Sequence, residues 1–337
     1  MAVSYGQKVG SESGARGHPV ASRFKKEPDS MNRNVSGNPL RFVPRRVRPV
    51  SLLTLLFGAA LASGAVGCQP ADDSNEPEPA VNCAGGSEKA LVLTRISFAR
   101  QMPMGVSEGF QLIDHVAMDG DPATCGHGSL TDPQGRKGIN NQLSVLMPTV
   151  DAVTNGAADP LVQEAINGGM LLYGVRIPNL QGMGDADCVN LDFHLLGGKP
   201  SVGTDQRLDP NQTFVILPGS PTSTVRGVMK AGVIEAGPFE LVMPIRILDA
   251  QFNQTVHGAR VRITLHEDGS ASGVIGGGIT KSELVDHIAP LGIGPVKDLL
   301  PALLDTLSDL DPDPAGSDCR QFSGAFTFDA KNAFINL

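Results

Sequence analysis

The sequence has no tryptophan and only 2 tyrosines in 337 residues, so the aromatic platforms on which sugar rings usually stack are missing. Long apolar runs are missing too. The most extended, Val50 to about Leu61, covers about a dozen residues, short of the roughly 20 that cross a bilayer as a helix. There is no HExxH, and His115, His127, His194, His257, His266 and His287 lack metal-ligand spacing. There is no GxSxG either: in Gly269-Ser270-Ala271-Ser272-Gly273 the serine stands one place late, on a predicted hairpin strand and not a strand-to-helix elbow. Gly276-Gly277-Gly278 lacks the spacing and the lysine of a phosphate loop, and reads as a flexible turn where backbones pass closely. Met102-Pro103-Met104 has no further soft ligand beside it and reads as loop or packing. Carboxylate pairs for glycoside hydrolysis have no sequence spacing, so an envelope hydrolase with a carboxylate or an unrecognised serine site stays as the alternative.

Basic residues are scarce once the first 67 residues are set aside. Those residues hold 10 of the 27 Lys and Arg but 3 of the 35 Asp and Glu, which leaves 17 basic against 32 acidic residues, a net charge near −15. So acidic a chain repels phosphate backbones and anionic headgroups, which argues against a nucleic-acid partner and against unaided membrane binding.

What the first 67 residues contain is an export signal. Arg45, Arg46 and Arg48 precede the apolar run, and small residues follow it, the order of a secretory signal peptide. Ala65-Val66-Gly67-Cys68 resembles the lipobox, in which small residues precede a cysteine that becomes the lipidated N-terminus; Ala65 stands where that pattern prefers Leu. The resemblance implies a lipoprotein cut before Cys68 and attached to a membrane through lipid on it. Gln69 follows, not the Asp that retains lipoproteins in the inner membrane, which favours the outer membrane. Met31 offers a second start and a leader of ordinary length, so residues 1–30 read as a mis-called start. Residues 68–82, acidic and proline-bearing, read as a disordered tether, and 83–337 as one β-rich domain.

Four cysteines remain: Cys83, Cys125, Cys188 and Cys319. An even number in an exported chain predicts two disulfides, with three connectivities open, and none of the spacings suits a zinc site.

Apolar alternation bounded by Gly, Pro and Asp predicts strands at 90–99, 170–177, 189–196, 213–217, 225–235, 239–248, 256–266, 270–275 and 322–328. Asp268-Gly269 predicts a hairpin between the seventh and eighth of these. Helices are predicted at 140–153, at 160–167 capped by Asp159, at 281–289 with Thr280 and Glu283 as a capping box, and at 299–307 with Pro301 in its first turn. In the last of these Leu299, Leu300, Leu303, Leu304 and Leu307 form one stripe, read as a helix lying on a sheet. Many strands, short turns and no βαβ alternation give a mainly β, α+β fold: an antiparallel sandwich or strongly curved sheet carrying a few packed helices.

Aspartates gather beside three cysteines. Asp119, Asp121 and Asp132, or Asp309, Asp311 and Asp313, are candidate calcium ligands, because closely spaced carboxylates on a braced loop supply the hard oxygens that ion takes. Pro314 and Arg320 break the EF-hand pattern, and such residues also gather in solvated turns.

Two stretches, GFQLIDHVAMDGDPATCGHGSLTDPQGRKGINNQL from Gly109 to Leu143 and DLDPDPAGSDCRQFSGAFTFDAKNAFI from Asp309 to Ile335, resemble uncharacterised exported proteins and lipoproteins of a myxobacterial type. Asn140 and Gln134 stand where that pattern tends to have Asp. The resemblance implies the envelope address and no activity. The reading is a lipid-anchored, non-enzymatic envelope protein that binds or scaffolds a protein or small ligand.

Overall fold

A computed structural model describes residues 83, 85–247, 250–288 and 294–336, all within one compact unit, Ser74–Leu337. The leader, Cys68 and the tether lie outside the described residues. Eight strands run β1 (Ser87–Phe98), β4 (Tyr173–Leu180), β5 (Ala186–Gly197), β7 (Thr222–Lys230), β8 (Val233–Ile247), β9 (Ala250–Leu265), β10 (Ala271–Thr280) and β12 (Cys319–Asn336). Each pairs antiparallel with the next, and β12 pairs antiparallel with β1, so the sheet closes into a barrel. The mainly β character with a few helices stands, and the curvature goes all the way to closure; two separate layers do not form. β6 (Gln212–Ile216) joins β5 to the last residues of β12, which it meets in parallel.

Alternation decides which side each strand shows. Along β7, Thr222, Thr224, Arg226, Val228 and Lys230 are exposed while Ser223, Val225, Gly227 and Met229 are buried. Leu91, Val175, Leu191, Ile234, Ile263 and Phe328 fill the core, each burial stabilising by about 1.5–3 kcal/mol. An apolar interior with a polar exterior is the reverse of a barrel that spans lipid. Among the described residues no helix is long and apolar enough to cross a membrane.

Two insertions interrupt the ring. The first, between β1 and β4, carries the short hairpin β2 (Leu130–Thr131) and β3 (Lys137–Ile139), then α1 (Leu143–Thr154) and α2 (Ala158–Asn167). The second, between β10 and β12, carries α3 (Lys281–Ile288), α4 (Gly294–Leu307) and β11 (Leu310–Pro312). Leu143, Leu146 and Met147 of α1 pack with Leu300, Leu304 and Leu307 of α4 on Ile279 and Phe322, so the helices do lie on the sheet. The side chain of Leu299 lies outside the described residues.

Three end signals act differently from the expectation. α2 starts after Ala157, and Asp159 sits inside its first turn, accepting from the Phe98 N–H at 3.2 Å and from Arg100 Nη1 at 2.5 Å. Glu283 accepts from the Thr255 N–H at 3.3 Å, tying α3 to β9. Pro301 lies well inside α4, which begins at Gly294.

Two disulfides are present. Cys83–Cys188 fastens the chain before β1 to β5, and Cys125–Cys319 fastens the first insertion to β12.

Candidate functional site

A barrel of eight strands is wide enough for side chains or one small ligand. Here side chains fill it. The void among Leu93, Tyr173, Phe193, Leu241, Ile275 and Phe328 measures about 20 Å³ and exposes no polar surface, so it has neither the room nor the partners for a polar ligand. Burial pushes the Tyr173 phenol well above its ordinary value.

The larger cavity lies outside, where the first insertion meets the wall. The β8–β9 register slips between Ala236 and Phe239, and the gap faces Phe110, Gln111 and β3. Gly237 (φ 117°) makes the close approach possible: a Cβ there would stand 2.4 Å from the Ala259 carbonyl oxygen and 2.9 Å from the Arg260 Cα. The result is an open groove of about 360 Å³ with Phe110, Ile139 and Val261 among its apolar residues and Arg136, Lys137, Arg260 and Glu235 as its charged ones. That volume is within the few-hundred-Å³ range of small-ligand sites.

Arg262 of β9 holds the insertion against the wall. Its guanidinium lies 5.5 Å from the centre of the Phe110 ring, donates to the Gly109 carbonyl at 3.5 Å, and faces Glu108 at 3.6 Å and Asp132 at 3.8 Å. Asp132 is wholly buried and accepts from the Gln134 N–H (3.0 Å), the Arg136 N–H (2.7 Å) and Arg136 Nε (2.5 Å). Arg136 reaches on to Glu235 at 3.4 Å. Burial, with Asp132 nearby, raises the Glu108 pKa. Arg260 and Lys137, among the described residues, have neither an ion pair nor a side-chain hydrogen bond.

Behind the groove runs a buried polar seam. Asn141 Nδ2 donates to Ser107 Oγ and to the Glu108 carbonyl, both at 2.9 Å, and Asn141 Oδ1 accepts from the Ala325 N–H at 3.2 Å. The Gln142 N–H donates to Ser323 Oγ (2.9 Å), and Ser323 donates through N–H and Oγ to Asp309 at 2.6 and 2.7 Å. Burial raises the Asp309 pKa to about 6 against these hydrogen bonds.

The aspartates singled out as calcium ligands are already engaged one by one. Asp121 accepts from the Ala123 N–H at 2.9 Å and from His115 at 2.7 Å. Asp119 packs against Gly128, where a Cβ would come within 2.5 Å of its carboxylate. Asp311 pairs with Arg320 at 2.6 Å, and Asp313 accepts from the Ser317 and Asp318 N–H groups at 2.8 and 3.3 Å. Among the described residues no three His, Cys, Asp or Glu converge on a point where a metal could sit. His115 shares both ring nitrogens with carboxylates, Asp114 and Asp121, each at 2.7 Å, and those bonds raise its pKa.

One serine–histidine pair exists among the described residues, His266 Nε2 to Ser272 Oγ at 3.0 Å. It stands beside the β9–β10 hairpin turn, outside both cavities, with His266 exposed. Asp268 of the same turn accepts instead from the Ser270 N–H and Oγ at 2.9 and 2.6 Å. A nucleophile so placed lines neither described cavity, and no carboxylate of this turn bonds the imidazole to orient it.

The groove residues were missed in the sequence. The available signal was a local excess of Arg and Lys at 136, 137, 260 and 262 in a chain otherwise strongly acidic. Comparison of the chain with protein-family profiles, with curated proteins and with solved structures finds no match.

Proposed function

We propose that the chain is an envelope lipoprotein, anchored through lipid on Cys68, whose barrel is a rigid non-enzymatic scaffold that offers the outer groove to a ligand. The observation that carries the address is the cysteine pairing: with Cys68 set aside, the other four close into two disulfides, which persist in oxidising compartments. Binding is favoured over hydrolysis by the groove's lining, which contains one carboxylate, Glu235, and no serine, cysteine or histidine. A tether of residues 69–82 would place the domain roughly 20 Å from the lipid, at about 5–6 Å per square root of residue number, leaving the groove open to solutes. Gln69, where Asp would retain the protein in the inner membrane, favours the outer membrane. Metabolic labelling with a radioactive fatty acid in a bacterial host tests the address. Wild type takes up label and Cys68→Ala does not; label retained in Cys68→Ala sinks the reading.

A further inference from the structure

We infer that the outer groove binds a small organic anion carrying at least two carboxylate or phosphate groups. The inference rests on the binding reading above and names the ligand class. Three observations carry it.

The first is charge. Arg136, Lys137 and Arg260 face Glu235, a local balance of plus two in a mature chain near −15. Cationic residues gathered in one concavity of an acidic protein focus field there and draw anions against the general repulsion.

The second is what is already spent. Arg262 stands behind the groove with Asp132 and Glu108, a balance of minus one, so the lining and its backing together still carry plus one. Arg136 is held on one side by buried Asp132, which fixes its guanidinium at the groove. Arg260 and Lys137 have no partner among the described residues, and Arg260 is half-buried, its stem passing close to Gly237. A partly desolvated guanidinium without a carboxylate is suited to the paired oxygens of a carboxylate or phosphate.

The third is the apolar share of the lining. Phe110, half-buried, offers carbon surface and the nearly buried Ile139 a little more, which a bare inorganic ion leaves uncovered and the body of an organic anion covers. The volume of about 360 Å³ suits a molecule of metabolite size, since such sites run to a few hundred Å³.

Isothermal titration calorimetry on the full mature lipoprotein in a non-ionic detergent tests this, with citrate, glucose 1,6-bisphosphate and neutral glucose as probes. At least one of the two anions gives saturable heat below about 1 mM, and glucose gives none. Binding of citrate alone or of the bisphosphate alone supports the inference and identifies which oxyanion the groove prefers. Lys137→Glu, at an exposed position where the fold is not at stake, weakens binding about tenfold, and Arg260→Ala does the same. Glu235→Gln tightens it, and Arg226→Ala, on the exposed face of β7 outside the groove, leaves it unchanged. Rising salt weakens the wild-type interaction. Absence of heat with both anions, equal affinity for glucose, or unchanged affinity in Lys137→Glu overturns the inference. Fatty-acid labelling of the same preparation is read separately, so a failed titration with intact labelling rejects the ligand class and leaves the anchored-scaffold reading standing.

Discussion

At Asp309 burial and ionisation conflict. Its side chain sits in the seam between the second insertion and β12, and loss of water raises its pKa from 3.8 to about 6 although Ser323 donates twice to it. A raised carboxyl pKa means that the folded protein holds the proton more tightly than the unfolded chain. Between about pH 4 and 6 the folded state therefore carries more bound protons, and stability falls as pH rises through that window. A rise of that size corresponds to about 3 kcal/mol lost by the time the pH is well above 6. Asp309→Asn keeps the shape and removes the charge, so it raises unfolding free energy at pH 8 by up to about 3 kcal/mol and changes it little at pH 4. Urea unfolding of both proteins at the two pH values measures this. An equal difference at pH 4 and pH 8 would remove the argument.

At the scale of elements, β10 explains why the sequence could be read only in part. Its apolar alternation is legible as far as Ile275, and Gly276-Gly277-Gly278 then imitates a turn, yet the strand continues to Thr280. The glycines are there because backbone and side chains crowd them: a Cβ on Gly277 would stand 2.6 Å from Val256 Cγ1 and 2.8 Å from the His257 carbonyl oxygen. On Gly278 it would meet first the Gln321 side-chain oxygen, the far end of a flexible group, at 2.3 Å. Gly277→Ala is expected to lower stability by about 1–3 kcal/mol, as overpacking does, and Gly278→Ala by less. Thermal melting of both variants checks the order, and a reversed order would mean that β9 yields more easily than Gln321. The 225–235 run hid a turn for the opposite reason. Ala231 and Gly232 take φ of 48° and 77° between β7 and β8, and alanine gives no hint of that. Asp185 compensates by accepting from the Ala231 N–H at 2.9 Å. Asp268-Gly269, by contrast, was legible because its glycine, at φ 85°, has the conformation such dipeptides favour. Of the candidate site, Asp132, Asp309 and the Gly109–Leu143 stretch stood out in the sequence, the two aspartates as calcium ligands and not as the partners of Arg136 and Ser323 that they are. The groove was not legible, because its lining joins residues 109–139 to residues 235–261, over 90 positions apart, and their meeting depends on the β8–β9 slip.

For the molecule as a whole, closure is the property with no local signal. β1 meets β12 through pairs such as Leu91 with Asn332, and nothing in either segment announces the other. Closure leaves the eight barrel strands without a free edge along the paired stretches, which removes strand addition as a mode of partner capture there. The first insertion lies outside that ring, and Cys125–Cys319 is its covalent fastening, with the two residues 194 positions apart. Cys319 is buried on β12, while Cys125 ends a short turn capped by Asp121. Replacing both cysteines by serine is expected to cost about 2–4 kcal/mol, the usual contribution of a disulfide that closes a long loop. The loss should not be uniform. β9, β10 and β12 keep their ladders without the bridge, whereas residues 117–131 hold together through short local bonds such as Thr124 Oγ1 to the His127 carbonyl at 2.5 Å and the Ser129 N–H to the Ala117 carbonyl at 3.0 Å. Amide hydrogen exchange on the Cys125→Ser/Cys319→Ser protein should therefore quicken most across residues 117–131, with β9 and β10 at near wild-type rates once the change in global stability is subtracted. Uniform acceleration over barrel and insertion would show that the bridge stabilises the barrel itself and that the insertion is fastened by the Asn141 and Arg262 contacts alone.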